Sequence, residues 1–177
     1  MYRSMAVTAL ALCLSLVGVT HLQAQRSGFI IGLGAGAGVT SFSFSDVLFG
    51  ASGGGSGGGL ATDFKIGAQV SKSLQIYYLG RTNWLNDGRH TVAAGISALG
   101  VTYVLPSAPV HLSGGVGLAT WLVQGSGGAG FGLTGGVGWE FADLWLLDFA
   151  LTYGRPSDRG GHVNMFLARV GISILSH

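Results

Sequence analysis

From Leu144 the chain alternates bulky apolar residues with small or polar ones. In LWLLDFALTYG, Trp145, Leu147, Phe149, Leu151 and Tyr153 share one face, and Leu146, Asp148, Ala150, Thr152 and Gly154 share the other. A repeat of two is the signature of an extended strand, whose successive side chains point to opposite faces. The same period divides FGLTGGVGWEFA. Phe131, Leu133, Val137, Trp139 and Phe141 go one way, and Gly132, Thr134, Gly136, Gly138 and Glu140 go the other. Near the end of the chain, Phe166, Ala168, Val170, Ile172 and Ile174 oppose Leu167, Arg169, Gly171 and Ser173. Earlier, Leu60, Phe64, Ile66 and Val70 oppose Asp63, Lys65, Gly67 and Gln69. Between Leu74 and Trp84, Leu74, Ile76, Tyr78 and Trp84 oppose Gln75, Tyr77, Arg81 and Asn83.

Extended along the chain, the pattern predicts eight strands, at about 28–43, 59–71, 73–85, 90–105, 109–124, 130–142, 144–155 and 162–175. Tight turns at Lys72, Pro106-Ser107-Ala108 and Ala142-Asp143 alternate with the links Ser45 to Gly58, Asn86 to Arg89, Gly125 to Ala129 and Pro156 to Gly161. The ASGGGSGGG tract inside the first of these links reads as a flexible surface loop.

The stretch GFIIGLGAGAGV offers a competing meaning, a glycine loop that cradles a dinucleotide. That fingerprint needs a following helix to aim its N-terminus at the pyrophosphate, and an acidic residue about 20 positions on. The continuation VTSFSFSDVLFGASGGGSGGG has no helical period. Glycines 32, 34, 36 and 38 instead recur at every second residue, so they line one face of a strand.

Composition decides what the apolar face meets. Hydrophobic residues make up 48% of the chain, charged residues only 9%, and mean hydropathy is +0.52. Soluble globular domains carry about 25% charged residues. A soluble barrel or sandwich would need its second face to hold water, and Gly, Ala, Ser and Thr with scattered charges cover water poorly. The same face suits a narrow lumen, and the bulky face suits lipid. The expected fold is therefore all-β, an eight-stranded antiparallel up-and-down transmembrane barrel. A net charge of +2 gives no argument for nucleic acid.

The first residues, MYRSMAVTALALCLSLVGVTHLQAQ, have a basic start, an apolar core and small residues near the end. These are the marks of a secretory signal peptide over residues 1–25, cleaved after Ala24 or Gln25, with the barrel over 26–177. The apolar run is short of the ~20 residues a spanning helix needs. The single cysteine, Cys13, leaves with it, so the mature chain would hold no thiol, no disulfide and no thiolate metal site.

With both termini in the periplasm, the aromatics sort by height. Trp84, Phe131, Tyr153 and Phe166 fall near the outer strand ends, and Phe29, Tyr103, Trp139, Phe141 and Trp145 near the periplasmic ends. Two aromatic girdles mark two membrane–water interfaces. On this pattern, across nearly the whole mature chain, the sequence resembles the small eight-stranded outer-membrane barrels of the OmpA/OmpX type. The resemblance implies Sec-dependent export, insertion by the barrel-assembly machinery and a multi-pass place in the outer membrane of a Gram-negative-type envelope. Barrels of this type close on a polar residue, a glycine and alternating hydrophobics ending in an aromatic. Arg169, Gly171 and Ile174 follow that signal, whereas Leu175-Ser176-His177 lacks the aromatic. No periplasmic domain that grips peptidoglycan is expected.

Six charges fall on the inward face: Asp63, Lys65, Arg81, Glu140, Asp148 and Arg169. Buried charges need partners, so the first three should form one cluster and the last three another, with Asp148–Arg169 the principal pair. Such pairs would plug an interior barely wide enough for side chains. The alternative use of the same groups is a narrow channel, or a carrier of small apolar ligands. A lipid A-modifying enzyme would need a nucleophilic serine, a histidine and a carboxylate near the outer leaflet. His90 and His162, with Asp87, Asp158 or Ser157, are the available groups, and ordinary loop residues are the simpler account of them. No catalytic set, metal-ligand cluster or cofactor motif stands out. At the outer rim, Arg89, Arg155 and Arg159 could meet lipopolysaccharide phosphates, although loop solubility alone also accounts for them. Trp121 falls inward if its strand keeps the register of Val110, Leu112 and Val116. A slip at Gly114-Gly115 would move it to the outer girdle, and the girdle position is the expectation. The function expected is a structural or interaction role in the envelope.

Overall fold

A computed structural model describes residues 28–45, 52–86, 91–123, 126–158 and 161–176. The expected signal segment, together with Asp87, Arg89, His90 and Arg159, lies outside the described residues. Eight strands follow in chain order: β1 (Phe29–Ser45), β2 (Ser52–Ser71), β3 (Leu74–Asn86), β4 (Thr91–Val104), β5 (Val110–Val123), β6 (Ser126–Ala142), β7 (Trp145–Asp158) and β8 (Gly161–Ser176). Each pairs antiparallel with the next, and β1 pairs with β8, so the sheet closes into a barrel without an edge.

The period-two pattern sets which face is inside. Odd positions of β3 and β8, from Gln75 to Leu85 and from Val163 to Leu175, are buried, while their even neighbours Ile76, Tyr78, Trp84, Phe166, Val170, Ile172 and Ile174 are exposed. The outward face carries large apolar residues that no water-soluble protein would leave uncovered: Leu99 is 69% exposed, Leu118 59% and Leu33 58%. This is the lipid-facing belt of a transmembrane barrel.

The register is unbroken except near the turns that follow β2 and β6, where it shifts between Gln69 and Ser71 and between Glu140 and Ala142. Leu144, expected to open a strand, sits instead in the two-residue turn before β7 with φ of 72°, a left-handed backbone that β-strands exclude. The larger correction concerns the glycine tract. Ser52–Gly59 is not a free loop: it pairs residue for residue with Gly38–Ser45, and Ser41–Ser45 pairs on its other side with β8. Glycine forms ladder hydrogen bonds as well as any other residue, and with β1 held from both sides the tract has a template to pair with. Strands β6, β7 and β8 likewise run five residues beyond Phe131, Tyr153 and Phe166. The wall therefore rises above the outer aromatic level on this side.

Candidate functional site: a filled lumen and an apolar wall

The site begins with β1. Between Ile30 and Thr40 its inward positions are Gly32, Gly34, Gly36 and Gly38, and the space their side chains would take belongs to other strands. A Cβ on Gly34 would overlap Asp63 and Ser173, and one on Gly38 would meet Asn83 Nδ2 at 2.6 Å. The alternating glycines thus form a bare strip over which β2 and β8 meet.

Across that strip, Arg169 of β8 reaches Asp63 of β2, with Nη2 and Oδ2 2.7 Å apart. The contact is an ion pair by distance, but its angles miss hydrogen-bond alignment. Asp148 of β7 is shared by two cations from the opposite wall, Arg81 Nη2 at 3.3 Å and Lys65 Nζ at 3.7 Å. The expected Asp148–Arg169 pair therefore does not form, nor do two clusters divided by neighbouring strands. Asp148 stands opposite Gly171 and Arg169 opposite Ala150, so the two residues lie diagonal to each other. The glycine strip gives Arg169 a free path the other way.

Arg81 also donates to Thr134 Oγ1 at 2.9 Å, and Thr134 in turn is bonded by Thr152 at 3.0 Å and donates to the Leu151 carbonyl at 3.1 Å. Lys65 lies 5.4 Å from the Tyr77 ring centre, close enough for a cation–π contact, and Tyr77 is hydrogen-bonded to Thr102 at 2.9 Å. Glu140 stands apart from these five charges. It lies at the end of β6 next to the β6–β7 turn, 3.3 Å from His111, a partner its own spacing does not single out. Only the closed barrel brings that pair to notice, although His111 follows the inward period of β5.

Above the charges the lumen turns apolar. Ala94, Ala119, Met165 and Leu167 form a buried cluster, with Phe42 and Trp121 packed against it. Trp121 is thus inside and not in the outer girdle, because β5 runs through Gly114-Gly115 without a slip. Its indole Nε1 is buried without a hydrogen-bond partner among the described residues.

On the outside, all nine girdle aromatics are exposed outward, including Phe29, Trp139 and Trp145 at the lower end and Phe131, Tyr153 and Phe166 toward the upper. Trp84 donates from Nε1 to Thr62 at 2.9 Å, and Tyr153 donates to Asn164 at 3.1 Å. Arg155 is exposed on the same outward column of β7, two residues above Tyr153. Ser157 and His162 are cross-strand partners at the upper end of the β7–β8 pair. Among the described residues, no group of three or more His, Cys, Asp or Glu could hold a metal ion.

Known structures share this architecture. Neisserial surface protein A is 15% identical with a TM-score of 0.54, over 85% of this chain and 99% of that one. The outer membrane protein OprG from Pseudomonas aeruginosa is 13% identical with a TM-score of 0.54, over 89% of this chain and all (100%) of that one. The outer membrane protein AlkL, determined in lipid bilayers, is 14% identical with a TM-score of 0.53, over 89% and 94% of the two chains. No protein-family model matches the chain, and no curated protein does. What is shared at these identities is the fold, that of the small eight-stranded outer-membrane barrels. With its lipid-facing belt, that fold is the architecture of a multi-pass outer-membrane protein.

Proposed function

We propose that this chain, built on the fold of the small outer-membrane barrels, is a closed structural and interaction element of a Gram-negative-type envelope. One observation carries this: Asp63, Lys65, Arg81, Asp148 and Arg169 meet inside the barrel, at 3–6% exposure, and fill its width beneath an apolar layer. Buried charges held in mutual pairs resist separation, because removing one partner strands the other in a medium that cannot solvate it. The filled lumen supports a plug over the alternative of a narrow channel or an apolar-ligand carrier. Interaction then falls to the wall and rim. There Arg155 stands above the outer aromatics, suited to the phosphates of lipopolysaccharide. Export through the Sec route and insertion by the barrel-assembly machinery belong to the same proposal.

Planar-bilayer recording tests it. The wild-type barrel gives no stepwise currents, and neither does an Arg155→Gln barrel. Steady ion currents from the wild type that change with Arg81→Ala would replace the plug with a channel.

A second function has a specific observation behind it, the register that sets Ser157 opposite His162 at the outer end. A lipid A-modifying hydrolase would use such a serine and histidine. Lipid A that is identical in cells carrying the wild type and His162→Ala removes this alternative.

A further inference from the structure

The outward belt is interrupted by a shallow, open depression at β5 and β6. Gly114 of β5 and Gly135 of β6 are direct cross-strand partners, so two adjacent side chains are missing from the lipid-facing wall at one level. They floor an open groove of about 720 Å³, walled by Leu99, Val116, Leu133 and Leu151. Its upper end is bounded by Tyr153 and Phe166, both outer-girdle aromatics.

Nothing inside the protein requires glycine at these two places. A Cβ on Gly114 would find its nearest neighbour at 3.9 Å, and one on Gly135 at 3.7 Å, both ordinary contacts, and neither residue sits at positive φ. Gly80 also faces open space, but its cross-strand partners Phe64 and Ser97 both carry side chains, so no groove forms there. Glycine weakens a strand interior, and where the surrounding protein does not demand a glycine pair, a close approach from outside is one physical reason for it.

We infer that the Gly114–Gly135 groove seats an acyl chain of a phosphate-bearing outer-leaflet lipid, with Arg155 holding that lipid's phosphate. The occupant follows from place and charge. The groove lies on the outward wall and is lined mostly by apolar side chains, so what enters is apolar. Arg155 continues the outward column of Leu151 and Tyr153, about 7 Å along the strand beyond Tyr153. The Tyr153–Asn164 hydrogen bond marks where the wall turns polar. A chain in the groove with its headgroup uppermost therefore brings a phosphate to a guanidinium, a charge-assisted contact that can be bidentate. This rests on the rim contact proposed above, and adds to it a defined seat for the chain below.

Native mass spectrometry of the detergent-purified barrel, titrated with hexa-acylated bisphosphorylated lipid A or with phosphatidylcholine, tests the inference. The wild type retains one lipid A in preference to phosphatidylcholine. The double variant Gly114→Leu/Gly135→Leu fills the groove and weakens retention about tenfold, and Arg155→Gln weakens it roughly threefold. The shift in gel mobility between unboiled and boiled samples verifies that each variant is folded. Wild-type retention by the groove-filled variant overturns the groove. If Arg155→Gln still weakens binding in that case, the rim contact survives alone, and if neither variant matters, both fall. Equal retention of phosphatidylcholine by the wild type overturns the phosphate anchor and with it the inference. Paired barrels that separate when the groove is filled would make the occupant a second copy, which also overturns it.

Discussion

The inward and outward glycines of this barrel are the same residue used for opposite purposes. Inside, Gly34 and Gly38 are occupied positions: Asp63, Ser173 and Asn83 already lie where their side chains would go. Outside, Gly114 and Gly135 face open space, with no protein atom closer than 3.7 Å to an added Cβ. An inward glycine is therefore a packing decision made by a neighbouring strand, while an outward one is visible only to what lies beyond the wall. Counting glycines cannot distinguish the two cases. Their parity along the strand, and what sits across the closed barrel, can.

The contrast can be broken most forcefully at the pairs the bare strip permits. Asp63→Ala leaves the Arg169 guanidinium buried without a counter-charge and should cost about 3–5 kcal/mol of stability, read from urea unfolding in lipid vesicles. The double change Asp63→Leu/Arg169→Met removes both charges and should recover most of that loss. If the single variant were as stable as the wild type, the lumen would be wet and loosely packed. Gly34→Val comes next. It forces Asp63 and Ser173 aside and should destabilise by about 1–3 kcal/mol in the same titration. The smallest effect has the opposite sign. Gly114→Ala meets nothing and stiffens the unfolded chain, so it should stabilise by about 0.5–1 kcal/mol. A Gly114→Ala barrel as weakened as Gly34→Val would erase the distinction between the two faces.

Much of the fold was legible because alternation is a local property. Trp145 through Tyr153 could be assigned outward, and Asp148 inward, from their spacing alone, and the strand count followed from the turns between such runs. The pairings across the lumen were not legible in the same way. Which charge meets which depends on closure, and on the stretch of β1 bare of inward side chains between β8 and β2, so adjacency in sequence order pointed to Asp148–Arg169 when Arg169 goes to Asp63. The four alternating glycines of β1 held that information, but only once the partner strands were known. Trp121 was ambiguous for a related reason. The run Gly114-Gly115-Val116-Gly117 lacks the contrast between bulky and polar residues that would fix its parity. The SGGGSGGG stretch from Ser52 to Gly59 failed as a loop because its own side chains say nothing, and its conformation is set by pairing with β1.

The central claim is that one face of the wall meets lipid while the other encloses a filled, water-excluding lumen. Cysteine accessibility tests it most directly, in a Cys13→Ser background so that even unprocessed chain carries only the introduced thiol. Ala98, inward on β4 and buried, and Leu133, outward on β6 and exposed, supply the two positions. The account expects Ala98→Cys to resist a small water-soluble cationic thiol reagent in intact membranes. It also expects a nitroxide at Leu133→Cys to collide with dissolved oxygen but not with a water-soluble nickel chelate. Rapid modification of Ala98→Cys would mean an open aqueous lumen, and ready access of the nickel chelate to position 133 would mean that the apolar face does not lie in lipid. Either result would contradict the account.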